Sequence, residues 1–173
     1  MSIFNLGEFE RQGQIENDVT FEDQNEAIEL LHQATTDVHR SVQIYTPDLE
    51  PDLYDNPTFI ENLVKMARGN RHARIQVLTS DTSSAIKRGH GLLRLAQTLT
   101  STIEVRIPSE EYQEDNLAFI LVDHTRFIYR PDIKRFQGIY NPDCKVRATK
   151  LADIFSLAWE HANLDLEVRR LSI

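Results

Sequence analysis

Apolar residues recur along the chain with two periods, one typical of helices and the other typical of strands. Spacings of three and four predict helices over residues 24–39, 57–69, 82–100 and 148–162. Alternating or continuous apolar runs predict strands over residues 41–46, 73–79, 102–107, 117–122 and 125–129. Asp23, followed three positions later by Glu26, is a capping-box pattern that marks the start of the first helix. Asp123 and His124, between the last two strands, predict a tight hairpin.

The order of these elements predicts the fold class. Strands that alternate with helices favour an α/β fold with a mixed β-sheet flanked by helices. The length of 173 residues suits one domain, which we assign to residues 23–173. Residues 1–22 are polar with scattered apolar positions, so we expect an N-terminal arm with one edge strand over residues 19–21. Residues 130–147 are expected to be mostly loop.

The charge of the chain is unevenly distributed. The sequence has 19 Lys and Arg against 27 Asp and Glu, and the net charge of −8 disfavours a protein that coats nucleic acid without specificity. Residues 1–56 hold 2 basic and 13 acidic side chains, whereas residues 57–150 hold 15 basic and 10 acidic. The basic excess predicts an anion-binding surface, unless these side chains form an ordinary solvated face. The candidates for this surface are Arg68, Arg71, Arg74, Lys87, Arg88 and Arg94.

Several classes of site have no signature in the sequence. Cys144 is the single cysteine, so no intrachain disulfide can form, and this suits a reducing compartment. No apolar run reaches the ~18 residues that span a membrane, and residues 1–13 do not resemble a secretory signal. The six histidines lack the spacing of a helical metal site, and there is no glycine-rich phosphate loop. We therefore expect a cytoplasmic protein without a metal, a cofactor or a membrane partner.

Two local patterns resemble one half of a phospholipase D-type fold. The strand LAFILVD, followed by HTRFIYRP, is similar to the strand–turn–strand that carries the superfamily signature His-x-Lys-x-x-x-x-Asp. Asp123 falls on the aspartate of that signature, but Asn116 stands at the histidine position and Ala118 at the lysine position. The run FSLAWEHA resembles the closing helix of the fold. Two further stretches, IYTPDLEPDLYDNP and GHGLLRLAQTLTSTIEVR, resemble an uncharacterised bacterial family with a degenerate phospholipase D-like fold.

The departures from the signature change the expected chemistry. In the active superfamily, the histidine attacks phosphorus and the lysine stabilises the charge on the phosphoryl oxygens. An asparagine amide has no basic lone pair for that attack, and an alanine supplies no charge. No histidine lies between Gly91 and Asp123, and His124 lies in the turn, where it cannot replace the missing nucleophile. The resemblance therefore implies that phosphodiester cleavage by this mechanism is lost.

A candidate pocket combines the loop after the first strand with the region of the signature. Residues 45–55 place four carboxylates near Tyr54, which indicates either a cation or partner site or a rigid acidic connector. The resemblance implies that the region after Asp123 borders the ancestral phosphate pocket. Arg130 is either a bidentate donor to a retained anion or the ion-pair partner of Asp48 or Asp123. The complete candidate pocket is Asp48, Tyr54, Asp55, Asn116, Asp123, Arg130 and Asn141.

Three functions remain open at the level of sequence. The first is a non-catalytic binding or regulatory module with a phospholipase D-like fold, which acts as a homodimer and holds an anionic or phosphate-containing ligand. The resemblance also implies an acetyltransferase-related protein as a candidate partner. The second function is that of a phosphodiesterase or nuclease with a relocated nucleophile. The third is nucleic-acid binding through the basic surface, which the net charge does not favour.

Overall fold

The computed structural model describes residues 16–113 and 116–170, and these residues form one eight-stranded sheet. Its strands are β1 (Val19–Phe21), β2 (Ser41–Thr46), β3 (Arg74–Thr79), β4 (Ile103–Ile107), β5 (Ala118–Val122), β6 (Arg126–Arg130), β7 (Gly138–Asn141) and β8 (Asn163–Leu164). Across the sheet they lie in the order β1-β7-β6-β5-β2-β3-β4-β8. The strands β2, β3 and β4 are parallel, and the other neighbours are antiparallel. The predicted mixed sheet is therefore confirmed.

Helices lie between most of the strands. In the described part of the chain they are α1 (Gln24–Thr35), α2 (Pro51–Tyr54), α3 (Pro57–Gly69), α4 (Ser83–Arg88), α5 (Gly91–Thr98), α6 (Lys145–Glu160) and α7 (Leu166–Arg170). The first helix starts where the sequence predicts. Asp23 Oδ1 accepts the N–H of Glu26 at 2.9 Å, and the Glu26 carboxylate accepts the N–H of Glu22 at 2.8 Å. These two bonds satisfy N–H groups at the helix start that have no partner within the helix.

The helices cover the two faces of the sheet unequally. On the first face, α1, α3, α4 and α5 bury aliphatic strand residues such as Val42, Ile44 and Val77. On the second face, α6 packs over β5 and β6 and buries Phe119 and Leu121. Beyond α6 the second face is polar. Its central row, across β2, β3 and β4, consists of Gln43, Gln76 and Glu104.

The connection between β5 and β6 is a tight hairpin, as predicted, in which residues 123–125 join Val122 to its partner Arg126. Asp123 and His124 have φ angles of 51° and 58°. A left-handed pair of this kind is typical of a type I′ turn, whose twist matches that of the flanking strands. Aspartate and histidine are among the non-glycine residues enriched in this conformation. The turn chemistry was therefore visible in the sequence.

The single helix predicted over residues 82–100 is wrong, because the structure divides it into α4 and α5. Gly89 ends α4 with a φ of 69°, a left-handed conformation that glycine adopts without steric cost. His90 then caps α5, since its Nδ1 accepts the N–H of Leu92 at 3.2 Å. The apolar spacing continues across the break because both short helices bury apolar residues on the first face of the sheet, Ala85 from α4 and Leu92 and Leu93 from α5.

Other boundaries also differ from the prediction. The first helix ends at Thr35 and not at residue 39, and α6 begins at Lys145, three residues earlier than expected. Residues 130–147, predicted as loop, contain β7. The four residues of β7 are too few to reveal an alternation in the sequence. The same reason explains why α2, β8 and α7 were not predicted.

The N-terminal arm is described in part. The predicted edge strand is confirmed by β1, which pairs antiparallel with β7. Residues 1–15 of the predicted arm lie outside the described residues. In the part of the chain that is described, none of the helices combines the length and the apolar composition needed to cross a membrane.

Candidate functional site

Arg130 lies beside the lysine position of the signature. In the register of β5 and β6 it is opposite Ala118. Its side chain is 3% exposed, and its guanidinium forms an ion pair with Glu50. The Nη2 atom also donates to the carbonyls of Ile133 at 2.8 Å and Arg135 at 3.2 Å. The positive charge of Arg130 is therefore balanced within the protein.

Glu50 reaches Arg130 because the loop after β2 adopts an unusual conformation. Leu49 is fully buried and has a φ of 63°, in the left-handed region that leucine rarely adopts. Its carbonyl accepts a hydrogen bond from His90 Nε2 at 2.9 Å. His90 is itself buried, so the contact holds the loop against the start of α5. Backbone strain of this kind persists only where the surroundings fix it in place.

The cavity that remains beside Ala118 is very small. Its volume is about 10 Å³, which is room for about one water molecule. Tyr54 lines it, and burial raises the pKa of the Tyr54 phenol, with the charge of Glu50 adding to the effect. Asn116, at the histidine position, is exposed, and its carbonyl accepts the N–H of Ile133 at 2.7 Å. The space beside Ala118 is therefore too small for a phosphate group.

The acidic loop does not gather its carboxylates at one point. Asp48 is exposed, and its Oδ1 accepts the N–H of Glu50 at 3.2 Å. Asp55 Oδ1 accepts the N–H of Gly91 at 2.7 Å, at the first turn of α5. Arg130 pairs with Glu50 and not with Asp48. Among the described residues, no three His, Cys, Asp or Glu side chains are grouped so that they could hold a metal ion.

Asp123 and Asn141 lie at the opposite end of the sheet from Arg130. β2 is antiparallel to β5, so Asp48 follows β2 at one end of the strand pair and Asp123 follows β5 at the other end. The two ends are about 20 Å apart, which is the length of a strand of six residues. Asn141 Nδ2 donates to Asp18 at 2.7 Å. The Asp123 carboxylate accepts, at 3.0, 2.7 and 3.0 Å, the backbone N–H groups of His39, Arg40 and Ser41. The seven candidate pocket residues thus form two separate groups.

The six cations predicted to bind anions are all exposed, and they lie in two groups at opposite ends of β3. The first group, at or before the start of β3, is Arg68, Arg71 and Arg74. The second group, on the helices that follow the end of β3, is Lys87, Arg88 and Arg94. Because β3 spans six residues, one small anion cannot contact both groups.

A cleft on the polar part of the second sheet face unites residues that the sequence does not bring together. Its volume is about 590 Å³, and its lining includes Arg40, Gln43, Arg74 and Gln76. Arg74 was a candidate from sequence, but the others were not. A glutamine inside each of two predicted strands was the available signal. The register that places them side by side is not visible in the sequence.

Comparison with known proteins places these observations in context. The chain matches one family model over residues 23–171, described as a domain of unknown function, DUF7931. The comparison with curated proteins finds no match.

Several solved structures share the fold. TrmBL2, an archaeal chromatin protein with a novel mode of DNA binding, has a TM-score of 0.63 at 10% identity, over 94% of this chain and 59% of that one. The chain therefore spans about three fifths of TrmBL2. Nuc from Salmonella typhimurium, a phospholipase D family member, has a TM-score of 0.58 at 11% identity, over 86% of this chain and 98% of that one. NucT from Helicobacter pylori has a TM-score of 0.57 at 10% identity, with the same coverage of 86% and 98%.

Identities this low show a likeness of fold and nothing of function. The family match is different in kind, because it runs from the capping residue Asp23 to the end of α7. The predicted resemblance to an uncharacterised family with a phospholipase D-like fold is confirmed by both comparisons. The chain belongs to the DUF7931 family and has a phospholipase D-like fold.

Proposed function

We propose that the chain is a non-catalytic binding or regulatory module built on a phospholipase D-like fold. The closed region around Ala118 carries this proposal. The cavity there has a volume of about 10 Å³, and the neighbouring Arg130 is paired with Glu50. Phosphoryl transfer needs space for the phosphate and positive charge directed at its oxygens. The signature position offers neither.

The side chains near Ala118 also make a relocated nucleophile a weaker alternative. Tyr54 is buried, and because burial raises its pKa the phenol stays protonated. His90 is buried as well, with Nε2 bonded to the Leu49 carbonyl and Nδ1 to the N–H of Leu92. A nucleophile must have a free electron pair within reach of the substrate. These contacts favour binding over a phosphodiesterase or nuclease activity.

Hydrolysis of bis(p-nitrophenyl) phosphate, with and without Mg²⁺ or Mn²⁺, tests the absence of catalysis. We expect no release of p-nitrophenol above the rate in buffer. The Asn116→His, Ala118→Lys double variant restores both signature side chains and is expected to stay inactive, because Arg130 and Glu50 still occupy the space. Activity that elutes together with the wild-type chain in two different chromatographic steps would contradict the proposal.

Nucleic-acid binding is the second candidate function. It is supported by the six exposed cations beside β3 and by the likeness to TrmBL2, a protein that binds DNA. The net charge of −8 weighs against it. Fluorescence anisotropy with labelled single- and double-stranded DNA, at about 50 and about 200 mM salt, separates the outcomes. Affinity that falls steeply with salt supports this candidate, and no binding at the lower salt concentration rejects it.

We also propose that the module acts as a homodimer. α6 exposes Val146 and Leu157, at 71% and 48%, and a second copy could cover this apolar area. The acidic residues 1–56 and the basic residues 57–150 offer complementary charge between copies. Light scattering over a concentration series tests the assembly, and a monomer at every concentration would reject it. An acetyltransferase-related partner, from the sequence resemblance, and a cytoplasmic location, from the single cysteine, complete the proposal.

A further inference from the structure

The cleft on the second sheet face is separate from the region of Arg130. Its floor is built by three parallel strands, on which Gln43, Gln76 and Glu104 are neighbours in register. Side chains alternate along a strand, so Arg74, two residues before Gln76, lies on the same face. The volume of about 590 Å³ falls in the range of roughly 300–1,000 Å³ that is typical of small-molecule sites.

The floor of the cleft contains a buried amide with an unsatisfied atom. Gln43 is 7% exposed, and its Nε2 donates to Gln76 Oε1 at 2.9 Å. Among the described residues, no group hydrogen-bonds to Gln43 Oε1. If both amides rotate by half a turn, the bond between them reverses and one acceptor and one donor still remain. In either orientation, Gln43 keeps one amide atom without a partner beneath the floor of the cleft, and the half-buried Gln76 keeps the complementary atom beside it.

The rim of the cleft carries positive charge. Within the described residues, no carboxylate lies at ion-pair distance from the guanidinium of Arg40 or Arg74. Glu104, the acidic residue of the lining, is already bonded by Arg106 at 2.6 Å. Two histidines also line the rim, His72 and His124. A phosphate group in this cleft would therefore meet two guanidinium groups that are not paired with a carboxylate, while the charge of Glu104 is balanced by Arg106.

We propose that this cleft binds a nucleotide, with the phosphate on Arg40 and Arg74 and the edge of the base on Gln43 and Gln76. Guanidinium groups bind phosphate oxygens through paired N–H donors. The N6–H and N7 groups of adenine are a donor beside an acceptor, which is the arrangement that a glutamine amide complements. Gln43 Oε1 is buried and lacks a donor, and it would accept one from the base when the Gln43 side chain turns towards the cleft. This inference rests on the proposed binding function and names the class of ligand.

Isothermal titration calorimetry of the full chain with AMP at low ionic strength is the first test. Two related ligands separate the contributions: ribose 5-phosphate has no base, and N6,N6-dimethyl-AMP has no N6–H donor. We expect AMP to bind, and each of the other two to bind at least about tenfold more weakly. Equal affinity for ribose 5-phosphate would overturn the assignment of a nucleotide site, because the phosphate alone would then explain the binding.

Variants locate the binding site. Arg74→Gln and Gln76→Leu are each expected to weaken AMP binding about tenfold or more. Arg68→Gln removes the same charge outside the cleft, so the affinity should change by less than about twofold. If Arg68→Gln weakens binding as much as Arg74→Gln, the attraction is general and the proposal fails. Arg74 is exposed and Gln76 is half-buried, so thermal melting by circular dichroism is used to confirm that each variant is folded.

Failure of this inference and failure of the proposed function are distinguishable. AMP binding without hydrolysis of bis(p-nitrophenyl) phosphate supports both. AMP binding together with hydrolysis overturns the non-catalytic function and leaves the cleft assignment intact. No detectable AMP binding overturns the cleft assignment, and the proposed function then depends on its own assays.

Discussion

Arg130 and Arg74 lie at opposite ends of one sheet, and their surroundings differ in nearly every respect. Arg130 is 3% exposed and paired with Glu50, beside a cavity of about 10 Å³. Arg74 is exposed on the rim of a cleft of about 590 Å³, and within the described residues no carboxylate neutralises it. The first arginine lies opposite Ala118, which stands at the lysine position of the resembled signature, whereas the second lies away from the signature residues.

The difference teaches that position in a fold is a weaker guide to function than the balance of charge around a side chain. Removal of the partner of a buried arginine destabilises the fold, because it leaves a buried charge without compensation. An exposed arginine without a partner costs little to remove and remains available to a ligand. Variants at the two regions should therefore separate stability from binding.

The largest effect is expected for Glu50→Ala, which leaves the Arg130 guanidinium buried without its carboxylate. We expect the free energy of unfolding to fall by about 3–5 kcal/mol, measured by urea denaturation. The Glu50→Ala, Arg130→Met double variant removes both charges and should recover much of the loss. A loss below about 1 kcal/mol in the single variant would show that the ion pair contributes no more than a surface pair.

A smaller loss is expected for Gly91→Ala, which tests how firmly the loop of Glu50 is held. A Cβ atom at Gly91 would lie 2.7 Å from Asp55 Oδ1 and 3.5 Å from Ile60 Cγ1. The Asp55 carboxylate, which accepts the N–H of Gly91, must therefore move. We expect a loss of about 1–3 kcal/mol. Gly69→Ala is the matched control, because nothing lies within 4 Å of its Cβ position, and its effect should stay within about 1 kcal/mol. Similar melting temperatures for the two variants would contradict the prediction.

Acid should weaken the same loop through His90. Burial lowers the pKa of His90 below its usual 6.5, so the folded protein holds the neutral ring. Below about pH 6.5 the unfolded chain takes up a proton that the folded protein does not, and the free energy of unfolding falls as pH falls towards the lowered pKa. His90→Asn keeps an acceptor for the Leu92 N–H but does not titrate. Its curve of stability against pH should be flatter than that of the wild type from about pH 7 to about pH 5.5, and parallel curves would contradict this expectation.

The smallest effect on stability is expected at the open cleft. Arg74→Gln should change the free energy of unfolding by no more than about 0.5 kcal/mol, as should Arg68→Gln. The contrast with Glu50→Ala, measured in the same urea titrations, separates the two regions directly. A large loss in Arg74→Gln would indicate that this side chain supports the sheet and would remove the contrast.

Much of the fold was visible in the sequence, because long elements repeat their spacing often enough to be recognised. The strands β2, β3, β4, β5 and β6 were each predicted within one residue at either end. The break at Gly89 had a local signal in the glycine itself, but a continuous apolar spacing concealed it. β7 and β8 were not predicted, because they are short and pair with strands that lie far along the chain or depend on such pairing.

The candidate site was less predictable. Arg130 was a candidate because it lies near the resembled signature, but its partner Glu50 is 80 positions away and is brought there by the left-handed conformation of Leu49. No local sequence pattern predicts a left-handed backbone conformation at a leucine. The cleft depends on the register of β2 against β3, which sets Gln43 beside Gln76. Pairing between distant strands is a tertiary property, so neither glutamine could be assigned a neighbour in advance.

The three bonds to Asp123 have a consequence for the assembly of the chain. They connect segments 82 to 84 positions apart, so they form only once β2 and β5 have come together. The Asp123 carboxylate then holds the start of β2 against the hairpin. These hydrogen bonds involve neither Asn116 nor Ala118. The aspartate that resembles the last residue of the signature therefore has a structural role, because it joins the start of β2 to the hairpin.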